Sequence, residues 1–144
     1  MTHQFAIIVS EFNQTITSRL LEGALSRFRE NGVADDSITV VHVPGAVEIP
    51  LTAQLLAKTY RYHSLICLGA VIRGETDHYD YVCQQVSVGC QKVMLEHEVP
   101  VIFGILTTNT EEQALERAGG REGHKGKDAV DAALAMVRVV DGIV

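Results

Sequence analysis

Four stretches of the chain are almost continuously apolar, and the segments between them repeat their apolar positions every three or four residues. The runs are FAIIVS (5–10), ITVVHV (38–43), LICLGAVI (65–72) and VPVIFGIL (99–106), each rich in Val and Ile. Runs without polar alternation predict strands buried on both faces, as in a parallel sheet. Between them, Ile16, Leu20, Leu21, Ala24, Leu25 and Phe28 form a helical stripe that stops at Asn31-Gly32. A second helix over about 48–60 carries Ile49, Ala53, Leu56 and Ala57, and a third over 77–97 carries Val82, Val86, Cys90, Val93 and His97. Thr110 and Gln113 form a capping box opening a short helix that ends at Gly119-Gly120. A last helix, about 126–140, carries Ala129, Ala133, Met136, Val137 and Val140.

The predicted order β-α-β-α-β-α-β-α-α makes residues 1–144 one α/β domain. It is a three-layer sandwich whose four-stranded parallel sheet has a flavodoxin-like order and right-handed crossovers. In such folds ligands bind at the carboxyl ends of the strands. Four loops should meet there: SEFNQ, VPGAVE, RGETDH and TTNTEE.

Composition narrows the possibilities. The formal charge is -6 and the pI about 5.4, which disfavours nucleic acid or an anionic membrane as main partner. Phe5 already opens a strand-like run, so no secretory leader is expected, and the apolar runs are too short to span a bilayer. The three cysteines, Cys67, Cys83 and Cys90, form no C-x-x-C pair, so a reducing cytoplasm is expected, with Cys83 and Cys90 read as core. Histidines at 3, 42, 63, 78, 97 and 124 have no metal-ligand spacing, and neither a P-loop nor a G-x-G-x-x-G follows the first strand. No metal or cofactor is expected.

The loops carry the candidate chemistry. In RGETDH, Gly74 permits a sharp turn, Thr76 or Asp77 can cap the following helix, and the N–H groups of that first turn form an anion site. His78 sits in the same turn, where the helix dipole favours a neutral imidazole able to accept and return a proton. The same residues also read as a plain cap followed by an exposed histidine. Phe12 stands among polar residues, either stacking on a planar ring or tucked under its own loop. Asn13 reads as a binding group or a turn residue. In VPGAVEIP, Gly45 allows close approach to a ligand, Pro50 suits a first helical turn, and Glu48 caps that turn or accepts from a ligand amine. ERAGGREGHKGKD gathers Arg117, Arg121, His124, Lys125 and Lys127 among glycines, a natural phosphate patch.

Together, FN after the first strand, VPGAVEIP, GAVIRGETDHYDYV, PVIFGILTT with EQALERAG, and GHKG before the last helix resemble the lumazine synthase family, in order and over essentially the whole chain. The resemblance implies condensation of 5-amino-6-(D-ribitylamino)uracil with 3,4-dihydroxy-2-butanone 4-phosphate, the penultimate step of riboflavin biosynthesis. It implies that Phe12 stacks on the pyrimidine, that Ala46, Val47 and Glu48 with Ala70, Val71 and Ile72 contact ring and ribityl chain, and that Phe103 lines the ring site. Glu75 and Thr76 would bind the phosphate substrate, His78 would transfer protons, and Arg117 would bind phosphate from a neighbouring subunit. Lys125 is among the implied substrate-binding residues. A homopentamer, with an icosahedral shell allowed and riboflavin synthase as an associated protein, follows from the same resemblance. The chain departs from the family at His124, where Asn is usual before Lys125, at Arg121, where Lys often occurs, and at Val47, where a larger residue is common.

Two binding proteins share the element order. A flavin mononucleotide carrier needs a Ser/Thr/Gly-rich loop after the first strand, and SEFNQT has no glycine. A receiver-type signalling domain needs a strand-end aspartate, which the expected strands lack. A related shell protein using another lumazine reaction would keep the pocket, but the intact RGETDH and Arg117 argue for retained activity.

Overall fold

The structure, a computed structural model, describes residues 2–144. Its elements follow the order β1 (Phe5–Ser10), α1 (Gln14–Glu30), β2 (Ile38–Val43), α2 (Ile49–Ala57), β3 (Ser64–Ile72), α3 (His78–His97), β4 (Val101–Thr108), α4 (Glu111–Glu116), β5 (Ala118–Gly120), β6 (Gly123–His124) and α5 (Lys125–Ile143). The first four strands form one parallel sheet in the order β2-β1-β3-β4, with β2 and β4 at its edges. This is the expected three-layer, flavodoxin-like arrangement.

Both faces of the sheet are covered, which is why the strands lack polar alternation. On one face Phe5, Ile7 and Val9 pack with Ile16, Leu20, Ala24 and Phe28 of α1 and Ala129, Val130, Ala133 and Val137 of α5. The Phe5 and Phe28 rings lie 4.8 Å apart. On the other face Ala6, Ile8, Leu65 and Cys67 pack with Ile49, Ala53 and Ala57 of α2 and Val86, Cys90 and Val93 of α3. The two helices of that layer meet closely: a Cβ at Gly89 would fall 2.7 Å from the Pro50 side chain.

Four details differ from the sequence-based expectation. Strand β4 begins at Val101 and runs through Thr107 and Thr108, which pair with Val71 and Ile72 of β3. Pro100 cannot donate a ladder bond, so the apolar Val99-Pro100 pair lies outside the strand. Helix α4 ends at Glu116, and Gly119-Gly120 belongs to a small antiparallel ribbon of β5 and β6. Met136 turns outward from α5 rather than into the core. Cys83 is only half-buried, whereas Cys67 and Cys90 are buried.

Candidate active site

The loops after β1, β2 and β3 close around a cavity of about 440 Å³ at the carboxyl ends of these strands. This size suits one drug-sized ligand. The loop after β1 is zipped to the loop after β2: the Glu11 and Phe12 N–H groups donate to the Val43 and Pro44 carbonyls at 2.8 and 3.0 Å. Asn13 adopts a left-handed conformation, φ 62°, and its amide donates to the Ala70 carbonyl at 3.0 Å. Asn tolerates that conformation better than most residues, so Asn13 turns the chain and ties it to β3. These bonds leave Phe12 on the cavity wall, 75% exposed, rather than tucked under its loop.

Below Phe12, Gly45 and Ala46–Glu48 form the second wall. One Glu48 carboxylate oxygen accepts the Gly45 N–H at 2.9 Å, so this acid fixes the turn first. Its other oxygen has no protein partner among the described residues' side-chain bonds and can serve a ligand. Ala70, Val71 and Ile72 at the end of β3 form the floor. Gly74, Thr76, His78, Tyr79 and Val82 complete the lining. Tyr79 was not singled out from the sequence, although it adjoins His78. Burial, followed by a hydrogen bond with Cys83, pushes the Tyr79 phenol up from its ordinary range, so it stays protonated.

His78 is the first residue of α3. Asp77 occupies the cap position but makes no side-chain capping bond. The Thr76 hydroxyl accepts the His78 N–H only at 3.4 Å. The Asp80 N–H donates to the Asp77 carbonyl at 3.0 Å, which leaves the Tyr79 N–H and the weakly held His78 N–H for an anion, next to an exposed imidazole. Glu75, on this loop, is exposed and does not line the cavity.

The remaining expected site residues lie elsewhere in the chain. Arg117 and Lys125 line a second cavity of about 360 Å³, with Thr107, Thr108, Glu122 and Asp128. The β5–β6 ribbon sets the two cations side by side, since the Lys125 N–H donates to the Arg117 carbonyl at 2.8 Å. The Arg117 guanidinium donates to the Gln113 carbonyl at 2.9 Å. Phe103 is half-buried on β4 and packs against the α2–α3 core. Phe103, Arg117 and Lys125 thus cluster around the edge strand of the sheet, and the chain does not bring them into the cavity holding Phe12 and His78.

The unusual residues of the glycine-rich patch have separate positions. Arg121 pairs with Glu116, outside both cavities. His124 caps α5, its Nδ1 accepting the Lys127 N–H at 3.3 Å. Its ring packs closely against α1: a Cβ at Gly23 would fall 2.0 Å from it. Burial, then the nearby Lys127, holds the His124 imidazole below its ordinary pKa. His124 thus fills an N-cap position, one that Asn also favours. Among the described residues there is no cluster of His, Cys, Asp or Glu able to hold a metal ion, and no helix long and apolar enough to cross a membrane.

The profile of the 6,7-dimethyl-8-ribityllumazine synthase family matches residues 2–141. Proteins named 6,7-dimethyl-8-ribityllumazine synthase from three strains of Coxiella burnetii are 59% identical over 140 residues, covering 97% of this chain and 93% of theirs. With that coverage and identity, the chain belongs to the 6,7-dimethyl-8-ribityllumazine synthase family of enzymes.

Proposed function

We propose that the chain condenses 5-amino-6-(D-ribitylamino)uracil with 3,4-dihydroxy-2-butanone 4-phosphate to 6,7-dimethyl-8-ribityllumazine, releasing phosphate, in riboflavin biosynthesis. The observation that carries this reading is the division of the expected site. One end of the chain offers an aromatic and amide-lined cavity with a histidine. Its edge strand offers an aromatic and two adjacent cations. In a ring of identical subunits, each β4 edge would complete its neighbour's cavity. The outward-facing Leu51 and Leu55 of α2 and Tyr81, Val88 and Leu95 of α3 support such an assembly, being apolar side chains without cover in the single chain. We take the assembly to be a homopentamer, able to go on to an icosahedral shell, in the cytoplasm, with riboflavin synthase as the associated consumer of its product.

The pyrimidine stacks on Phe12 and, across the subunit boundary, meets Phe103. Peptide groups of 46–48 and 70–72 hold the ring and ribityl hydroxyls, helped by the free Glu48 oxygen. The butanone phosphate binds at the start of α3 through Glu75, Thr76 and the N–H groups of His78 and Tyr79, its phosphate paired with Arg117 and Lys125 of the neighbour. The ring amine attacks the ketone, and loss of water gives an imine. Elimination of phosphate, tautomerisation and a second dehydration on ring closure then form the lumazine. His78 takes and returns the protons. Both substrates bring their own reactive groups, so positioning and proton transfer suffice and no cofactor enters.

Mixing both substrates with the protein tests this. Lumazine fluorescence and inorganic phosphate should appear together in equal amounts. Substrate consumption without lumazine, or no turnover, overturns the proposal.

A further inference from the structure

Within the His78 turn, the Asp77 carbonyl accepts the Asp80 and Tyr81 N–H groups at 3.0 and 3.3 Å, but the side chains of the turn add little hold. Residues 73–78 are exposed, Gly74 adds freedom, Asp77 makes no capping bond, and the Thr76–His78 contact is long at 3.4 Å. A proton-transfer group must nevertheless be kept within reach of its substrate.

Arg73, at the base of this turn, does not line the cavity. Its N–H extends the β3–β4 ladder to the Thr108 carbonyl at 2.9 Å. Its Nε donates to the Asn109 Oδ1 at 3.0 Å, and its Nη2 donates to the Asp80 carboxylate at 3.3 Å. Its guanidinium carbon stands 4.3 Å from the Tyr79 ring centroid. One side chain therefore grips the two residues that follow His78 and ties them to the end of β4. Asn109 is itself fixed, because its N–H donates to the Gln113 side chain at 2.9 Å, and that side chain closes the capping box of α4.

We propose that Arg73, anchored by Asn109, is a positioning residue that holds the first turn of α3, and with it His78, against the cavity. This rests on the role given to His78 above. An isolated exposed ion pair would contribute little. Here a bidirectional fork and a stacked face converge on one turn, an arrangement that lysine cannot copy.

The test uses the assembled protein and three variants: Arg73→Met, Arg73→Lys and Asn109→Ala. A shift of about 1 Å in a reacting group can cost roughly 100-fold, so Arg73→Met should lower kcat by about 10- to 100-fold. Its KM for the pyrimidine should stay within about twofold, because Arg73 does not touch the cavity. Arg73→Lys should recover part of the loss. Asn109→Ala, which removes only the outer anchor, should give a smaller fall in the same direction and keeps the test decisive where Arg73→Met does not fold. Amide exchange over residues 74–80 should accelerate in each variant relative to wild type. Wild-type kcat in the variants, or unchanged exchange in that segment, overturns the positioning role, as does a KM rise matching the kcat loss, which would mean direct substrate contact. Wild-type protein that makes no lumazine instead overturns the functional reading, and the role of His78 with it.

Discussion

If Arg117 pairs with the substrate phosphate as proposed, replacing it by Ala should separate phosphate recognition from the rest of the site. In the structure Arg117 ends α4 half-buried, and one of its N–H groups is committed to the Gln113 carbonyl. The rest of the planar fork faces the second cavity beside Lys125. A hydrogen bond to a charged group contributes about 1.5–3 kcal/mol, or about 10- to 150-fold in affinity at 1.36 kcal/mol per factor of ten. Lys125 stays in place in the variant, so the lower half of that range is expected for the rise in KM of the butanone phosphate. The KM of the pyrimidine should move far less, since Phe12 and the 46–48 and 70–72 walls are untouched. The lost Gln113 contact costs about 1 kcal/mol, which lowers Tm by a few degrees and leaves the fold intact. Steady-state kinetics with each substrate varied in turn, and light scattering for the assembly, give the answer. Equal loss toward both substrates, or a protein that no longer assembles, would mean that Arg117 serves the fold or the subunit contact.

Three further outcomes are expected. His78→Ala should lower kcat about 100-fold, the low end for general acid–base catalysis, because amine and ketone condense slowly without help; both KM values and the assembly should be unchanged in the same kinetics and light scattering. Phe12→Ala should raise the KM of the pyrimidine about 2- to 12-fold, from the roughly 0.5–1.5 kcal/mol of an aromatic pair, with Tm unchanged in a thermal melt because the ring is 75% exposed. His124 should make stability fall in mild acid. Its folded pKa lies below the ordinary histidine value of about 6.5, so the unfolded chain binds the proton first; this contribution is intact above that value and is lost as pH falls through it toward the folded pKa. His124→Asn keeps a capping acceptor and removes the titration, so its Tm between about pH 7 and 5 should fall less steeply than that of wild type; parallel slopes would refute the assignment.

The strands and the loops at their carboxyl ends were legible because burial on both faces leaves an unmistakable apolar run, and because the polar residues that interrupt it abruptly at Arg73 or Glu11 are costly to bury. The capping box at Thr110 was legible because it is local: both of its bonds join residues at most four positions apart. The β5–β6 ribbon was not. Glycines carry no side chain to alternate, and a five-residue ribbon has no periodicity to detect, so Gly119-Gly120 looked like a helix end. The separation of Phe103, Arg117 and Lys125 from the cavity depends on which strand takes the sheet edge, a tertiary fact that no local pattern encodes. The same holds for Arg73, whose partner Asn109 is 36 residues away.

Mixing two inactive chains tests the divided site most directly. His78→Ala and Arg117→Ala subunits are unfolded together, refolded into mixed assemblies, and assayed at a butanone phosphate concentration too low for Arg117→Ala to turn over. A site at one subunit boundary is intact when its His78 comes from an Arg117→Ala chain and its Arg117 from a His78→Ala chain. Random mixing in equal amounts makes about one boundary in four intact in a closed ring, so activity should return to about a quarter of wild type. If each chain instead housed a complete site of its own, mixing would give no more than the average of the two parents, and the account of a shared active site would be contradicted.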